Sequence, residues 1–188
     1  EALSPDVDVF DREAVCLEKN LQPLIEAYPT LRVVLEHVST QEGVNWVKAH
    51  YPQVAATVTA HHLCFDRNAL LTTRIHPDLF CLPVLKRREH QQALVAAVTS
   101  GHPGFFLGTD SAPQAARDTY CASGCAGIYT QPYALSLYTQ VFFEQQALAH
   151  LEGFTSLNGA RFYGRSPNTQ RVCLVQKPMN VPEFLPWA

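Results

Sequence analysis

Short apolar runs that end in polar residues alternate along the chain with longer stretches in which apolar residues recur every three or four positions. The short runs cover residues 31–35, 54–59 and 105–108, and the longer stretches cover 12–27, 40–50, 89–99, 132–147 and 148–157. Apolar runs bounded by Gly and Pro are typical of strands buried on both faces of a parallel sheet. The alternation of strand and helix predicts right-handed βαβ units, and hence an α/β fold.

Polar residues with possible chemistry follow two of these strands. Glu36 and His37 come directly after the first strand, and Asp110 comes after the third. Open parallel sheets and (β/α)8 barrels carry their active sites at these strand ends. Imidazole and carboxylate suit zinc, but two ligands do not hold the ion. A turn aspartate that hydrogen-bonds its own backbone remains the alternative for Asp110.

A histidine pair follows the second strand. His61 and His62 are adjacent, and neighbouring residues at a strand end point to opposite sides. We therefore expect at most one of them to face a common site. Four cysteines in apolar contexts are expected to be buried thiols, namely Cys16, Cys64, Cys81 and Cys173.

Composition excludes several classes of function. The 188 residues predict one domain, and a net charge of −3 without a Lys/Arg block excludes a nucleic-acid or anionic-membrane footprint. No apolar run approaches the ~20 residues that span a bilayer. Buried thiols favour an intracellular, reducing compartment such as the cytoplasm or an organelle matrix. Because the chain begins at Glu1 and not at Met, we expect any targeting signal to lie upstream.

Six motifs occur in order along nearly the whole chain. They are Leu-Glu-His at 35–37, Ala-Thr-Val-Thr at 56–59 with His-Leu at 62–63, Cys-Leu-Pro-Val-Leu-Lys-Arg at 81–87, Phe-Leu-Gly-Thr-Asp-Ser-Ala-Pro at 106–113, Gly-Cys-Ala-Gly at 124–127 and Phe-Tyr-Gly at 162–164. Together they resemble the short bacterial and plant type of dihydroorotase, of the amidohydrolase superfamily. The resemblance implies the C-terminal part, about strands 6–8 with their helices, of a (β/α)8 TIM barrel. One partial barrel domain would then cover residues 1–188, with a tail at 170–188 that packs on the barrel.

The resemblance also implies a chemistry and a set of site residues. In that family, two zinc ions bridged by a carboxylated lysine and a hydroxide support the reversible hydrolysis of dihydroorotate to N-carbamoyl-aspartate in pyrimidine synthesis. By the resemblance, His37 and Asp110 are zinc ligands, and Asp110 shuttles the proton to the leaving nitrogen. Leu82 and Ala126 resemble positions whose backbones contact the pyrimidine ring.

Several positions depart from the family pattern. The family's other metal ligands precede Glu1, which itself resembles the glutamate of a His-Gly-Glu motif. Gln114 replaces a histidine that helps to bind the substrate carboxylate, and further changes lie at Asp78, 117–120 and Ser123. A neutral amide in place of a charged donor weakens a contact of roughly 1.5–3 kcal/mol.

Two hypotheses follow from these departures. The chain is the C-terminal portion of a working dihydroorotase, or it is an inactive homologue kept as a structural or assembly subunit. In either case we expect the isolated chain to hold no binuclear zinc site. Three strands also leave two open edges and an unfilled inner face, so we expect the missing N-terminal barrel half or other subunits as partners.

Overall fold

The protein is built around a small parallel sheet. A computed structural model describes residues 5–115, 124–178 and 180. Strands β1 (Val33–Leu35), β2 (Val54–Val58) and β3 (Phe105–Leu107) lie side by side in that order. The three predicted strands are confirmed, each slightly shorter than its apolar run.

One helical segment precedes β1 and another follows it. The first consists of α1 (Arg12–Cys16), a π-helical turn (Leu17–Leu21) and α2 (Gln22–Ala27), which together fill the predicted range 12–27. The second is α3 (Gln41–His50). It begins after Thr40, whose hydroxyl accepts a hydrogen bond from the Gly43 N–H at 3.0 Å. Thr40 is thus an N-cap of the expected type.

Short helices connect β2 to β3. Helix α4 (Ala60–Cys64) starts directly after β2, with Thr59 as its N-cap. Helix α5 (Arg67–Leu70), a 3-10 turn (Pro77–Leu79) and the longer α6 (Arg88–Thr99) follow. The sequence analysis placed a histidine pair at a strand end here, whereas the structure places it in α4.

The C-terminal helices differ from the prediction in their ends. A 3-10 turn (Gln131–Tyr133) leads into α7 (Ala134–Glu144). A 3-10 turn (Leu148–His150) and a π-helical turn (Gly153–Leu157) then lead into α8 (Asn158–Phe162). The predicted stop at residue 158 is wrong, because the Asn158 amide donates to the Phe105 carbonyl at 3.0 Å and the helix continues against β3.

The tail offers no regular structure where it is described. Residues 165–178 are exposed and contain no strand. Of the four cysteines expected to be buried, Cys81 is buried, Cys16 and Cys64 are half-buried, and Cys173 is exposed. That the tail packs on the barrel stays a prediction. Within the described ranges, no helix is long and apolar enough to cross a membrane.

Both faces of the sheet carry apolar contacts. The main core joins Val54, Ala56, Val58 and Phe105 to the helices. On the other face, Phe162 of α8 packs with Ala55 and Phe106 in a smaller cluster. The expectation of an unfilled inner face is therefore wrong at this end of the sheet, where α8 covers Phe106 down to 4% exposure.

Candidate active site at the ends of the strands

His37 is held by the neighbouring strand. It adopts a left-handed backbone (φ 44°), which is uncommon for a residue other than glycine. Its N–H donates to the Thr57 hydroxyl at 2.7 Å, and the next N–H, of Val38, donates to the Thr57 carbonyl at 3.0 Å. Its Nδ1 is buried without a partner in the part of the chain that the structure describes. A backbone held in place and an imidazole nitrogen without a hydrogen-bond partner are compatible with a metal ligand.

A buried glutamate fixes the loop that follows His37. Glu13 of α1 is 4% exposed. Its carboxylate accepts hydrogen bonds from the Ser39 N–H (2.8 Å), the Ser39 hydroxyl (2.6 Å), the Thr40 N–H (3.0 Å) and the Thr40 hydroxyl. Gly43 allows this approach, since a Cβ there would lie 2.4 Å from a Glu13 oxygen. The sequence analysis missed Glu13, although its position four residues before buried Leu17 on the same helix face is a usable signal.

Asp110 ends the third strand in the same unusual backbone conformation as His37 (φ 42°). The chain reaches Asp110 through Gly108, which packs closely against Thr57, since a Cβ at Gly108 would lie 2.5 Å from the Thr57 Cβ. Tyr138, fully buried in α7, donates its hydroxyl to the carbonyl of Val58 at 2.8 Å, with the Gly108 carbonyl at 3.3 Å. Burial raises the pKa of this phenol, so it stays a donor. Asp110 itself is exposed at the mouth.

Thr57 lies between the two predicted ligands. Strand β2 separates β1 from β3, and its Thr57 side chain contacts both the His37 turn and the approach to Asp110. His37 and Asp110 therefore lie at the same end of the sheet, where the strands have their carboxyl ends, as predicted from their positions after parallel strands. Their assignment as zinc ligands stays a prediction.

The histidine pair corrects the expectation made from sequence. Because His61 and His62 lie in the first turn of α4, their rings do not point to opposite sides but lie with centroids 4.7 Å apart. Both are buried, at 1% and 2% exposure. Burial, with a smaller contribution from His37, lowers the pKa of His61 to about 4. Burial and then the His61 charge lower the pKa of His62. Both rings are neutral at pH 7.

The three predicted substrate-binding positions fall in two places. Leu82 precedes a cis proline and is 49% exposed. Gln114 is exposed, and its amide donates to the Ala126 carbonyl at 3.3 Å, so these two positions are brought together. The two segments join where the Gly127 N–H donates to the Phe80 carbonyl at 2.8 Å. The substituted positions 117–120 and Ser123, and also Glu1, lie outside the described residues.

The site and the sheet define a class of protein. Parallel strands with a histidine and an aspartate at their carboxyl ends have the arrangement found in part of a (β/α)8 barrel. A hydantoinase from Thermus sp. shares this fold, with a TM-score of 0.67 over 80% of this chain and 35% of that chain at 17% identity. No protein-family model matches the chain.

The sequence relatives are more specific than the fold. The chain is 54% identical to the dihydroorotase of Nitrosococcus oceani over 187 residues, and 51% identical to that of Azoarcus sp. over 187 residues. Each match takes in 100% of this chain and 54% of the relative, so the chain spans about half the length of the curated relatives that it matches.

Solved dihydroorotases superimpose on the chain. The Saccharomyces cerevisiae dihydroorotase in complex with 5-fluoroorotic acid gives a TM-score of 0.81 at 34% identity, over 88% of this chain and 47% of that one. The Campylobacter jejuni dihydroorotase gives 0.76 at 29% identity, over 87% and 46%. Over its length the chain corresponds to the C-terminal portion of a dihydroorotase, and the predicted resemblance is confirmed.

Proposed function

We propose that this chain supplies the C-terminal part of a dihydroorotase active site, completed by an N-terminal barrel half. The observation that carries the proposal is the matched pair of left-handed residues, His37 and Asp110, on either side of Thr57. Backbone strain of this kind, of order 1–3 kcal/mol per residue, persists where the surrounding structure enforces it, and it clusters at active sites.

The residues present fit a metal centre in part. The unused, buried Nδ1 of His37 and the exposed carboxylate of Asp110 are two donors of the type that zinc takes. Two donors do not hold the ion, so the remaining ligands must come from the other barrel half. Zinc, when bound, supplies Lewis-acid activation of water and of the substrate carbonyl.

The chain's own residues have defined tasks in this reaction. Asp110 takes a proton from the attacking water and delivers it to the amide nitrogen that leaves, which opens the ring of dihydroorotate to N-carbamoyl-aspartate. The exposed Leu82 and the Ala126 segment offer backbone groups at the mouth. Gln114 offers an uncharged donor to the substrate carboxylate.

One observation favours the second candidate function, an inactive assembly subunit. The Gln114 amide is hydrogen-bonded to the Ala126 carbonyl, so the group expected to meet the substrate carboxylate is used within the loop. One of the two amide N–H donors is engaged there, which leaves a single N–H for a substrate. We also infer a reducing compartment, because no disulfide joins the cysteines that the structure describes.

Complementation tests the proposal. The chain is co-expressed with the part of the Nitrosococcus oceani dihydroorotase that precedes its match, and the purified complex is assayed for dihydroorotate hydrolysis. We expect activity that falls by about 10²–10⁴-fold in Asp110→Asn, the contribution typical of a general acid–base. Asp6→Asn, at an exposed aspartate near the start of the chain, is the matched control. A folded, zinc-loaded complex without activity would instead support the assembly subunit.

A further inference from the structure

Two histidines and a cysteine, all residue types that bind metals, lie close together in the core just after β2. His61 and His62 come from α4, and Cys81 comes from the segment before the cis Leu82–Pro83 bond. All three are almost completely buried, at 1%, 2% and 3% exposure. One donor atom from each residue lies within 4.8 Å of the other two.

His61 is the residue that calls for a ligand. Neither of its ring nitrogens has a hydrogen-bond partner within the described ranges. Buried polar atoms without a partner are unfavourable, and such atoms in native proteins have an explanation, an ion or a bound water being two of them. A neutral imidazole carries a lone pair on one of its two ring nitrogens, which is available to an ion.

His62 is held by hydrogen bonds at both ring nitrogens. Its Nδ1 lies 2.7 Å from the Thr59 hydroxyl, and its Nε2 lies 2.9 Å from the Pro83 carbonyl. Because a carbonyl can only accept, these contacts place the proton on Nε2 and let the Thr59 hydroxyl donate to Nδ1. Metal binding uses the other tautomer, in which Thr59 accepts the Nδ1 proton and the Nε2 lone pair turns from the Pro83 carbonyl to the ion.

Cys81 brings a sulfur to the same place. Its thiol donates to the Pro83 carbonyl at 3.2 Å, the group that His62 also contacts. Binding of a divalent ion releases the thiol proton to solvent, while His62 changes tautomer without a change of charge. Tetrahedral zinc places its ligand atoms about 3.3–3.7 Å apart, so the three side chains would draw together by about 1 Å.

We propose that His61, His62 and Cys81 bind one zinc-class ion. Two imidazoles and one thiolate form a donor set typical of zinc, and such a set excludes magnesium and calcium, which take oxygen ligands. The site includes neither His37 nor Asp110 and does not rest on the proposed hydrolase activity. Since the site is buried, the ion enters while the chain folds.

Spectroscopy of the chain expressed with cobalt tests the site. We expect about one Co²⁺ per chain and a thiolate-to-cobalt charge-transfer band, which disappears in Cys81→Ser. Cys64→Ser changes a cysteine of α4 that lies outside the cluster, and this variant should keep the band. His37→Gln should keep it as well. His61→Gln should weaken metal binding at least tenfold. A band that survives in Cys81→Ser, or that is lost in Cys64→Ser or His37→Gln, would overturn the site.

X-ray absorption identifies the ligand atoms around zinc in the wild-type chain, so this test requires no variant to fold. We expect one sulfur scatterer at about 2.3 Å together with imidazole scattering. Oxygen and nitrogen scatterers alone, or a chain that takes up no zinc, would refute the proposal. Two zinc ions per isolated chain would contradict both this stoichiometry and the expectation that the family's binuclear site is incomplete here.

Discussion

Removal of the Glu13 carboxylate is the most informative single change for the architecture of the site. Its four hydrogen bonds come from two backbone N–H groups and two hydroxyls of the loop after His37. Because the Thr40 hydroxyl also caps α3, the same carboxylate links three elements: α1, the His37 loop and α3. We therefore expect Glu13 variants to loosen the loop as well as to destabilise the fold.

The magnitude follows from which donors can find another partner. The Ser39 and Thr40 hydroxyls can rotate, but their two N–H groups cannot, and each buried N–H left without an acceptor costs about 1–3 kcal/mol. Glu13→Ala should therefore lower the free energy of unfolding by about 2–6 kcal/mol, the sum for two buried N–H groups left without an acceptor. Glu13→Gln retains the shape and one oxygen, so it should cost about 1–3 kcal/mol.

Urea unfolding at pH 7 and a fixed protein concentration measures these differences. Glu18→Gln, on the exposed side of the same helical segment, is the matched control and should change stability by less than about 0.5 kcal/mol. Amide exchange at Val38, Ser39 and Thr40 should accelerate in Glu13→Gln and not in the control. Equal stability of Glu13→Gln and Glu18→Gln would refute the role of Glu13.

Three further predictions concern the loop, an ion pair and the assembly. In the complemented enzyme, Gln114→His should raise kcat/KM about tenfold through a contact of ~1.4 kcal/mol, and no change would show that the loop binds substrate differently. Burial raises the pKa of Asp66, but hydrogen bonds from Arg88 and Asn68 outweigh it and lower the pKa. Asp66→Asn should thus lower the free energy of unfolding by about 1 kcal/mol at pH 7. The stability difference between wild type and variant should shrink below pH ~3.9 and vanish as the pH falls through the lowered pKa of Asp66. A stability difference that does not change with pH would contradict this. Sedimentation at micromolar concentration should show an assembly, and a compact monomer of 20.9 kDa would contradict it.

The sequence predicted the sheet well because the signal is local. Each strand is an apolar run bounded by turn residues, and each is followed by a helix that covers it, so strand number and parallel direction follow without tertiary information. The same reasoning placed His37 and Asp110 at one edge of the sheet. It did not predict their left-handed backbones, which depend on Thr57 from the strand between them.

The errors arose where tertiary contacts override local signals. Asn158 and Gly159 are residues typical of a helix end. In the structure, however, the Asn158 amide donates a hydrogen bond to the Phe105 carbonyl, and Gly159 lets α8 pack closely against the Phe106 ring. The histidine pair was misjudged because β2 ends one residue earlier than its apolar pattern. His61 and His62 therefore lie in a helical turn, where adjacent side chains are about 100° apart, and not in a strand, where they alternate between the two faces.

The contact of α8 with β3 also bears on how the chain would meet the N-terminal barrel half that we propose as its partner. In this sheet Gly104 and Gly108 hydrogen-bond toward β2, so the alternate residues of β3 direct their backbone groups to the outer edge. At Phe105 the Asn158 amide already satisfies one of these carbonyls. An incoming strand can therefore pair with β3 only toward its carboxyl end, beside Asp110. On β1 the Val33 N–H donates to the Gln53 carbonyl on the β2 side, so Val34 is the residue of β1 whose backbone groups point to the outer edge. Each edge thus offers few outward backbone groups, and at β3 these lie beside Asp110, where a further strand would complete the site.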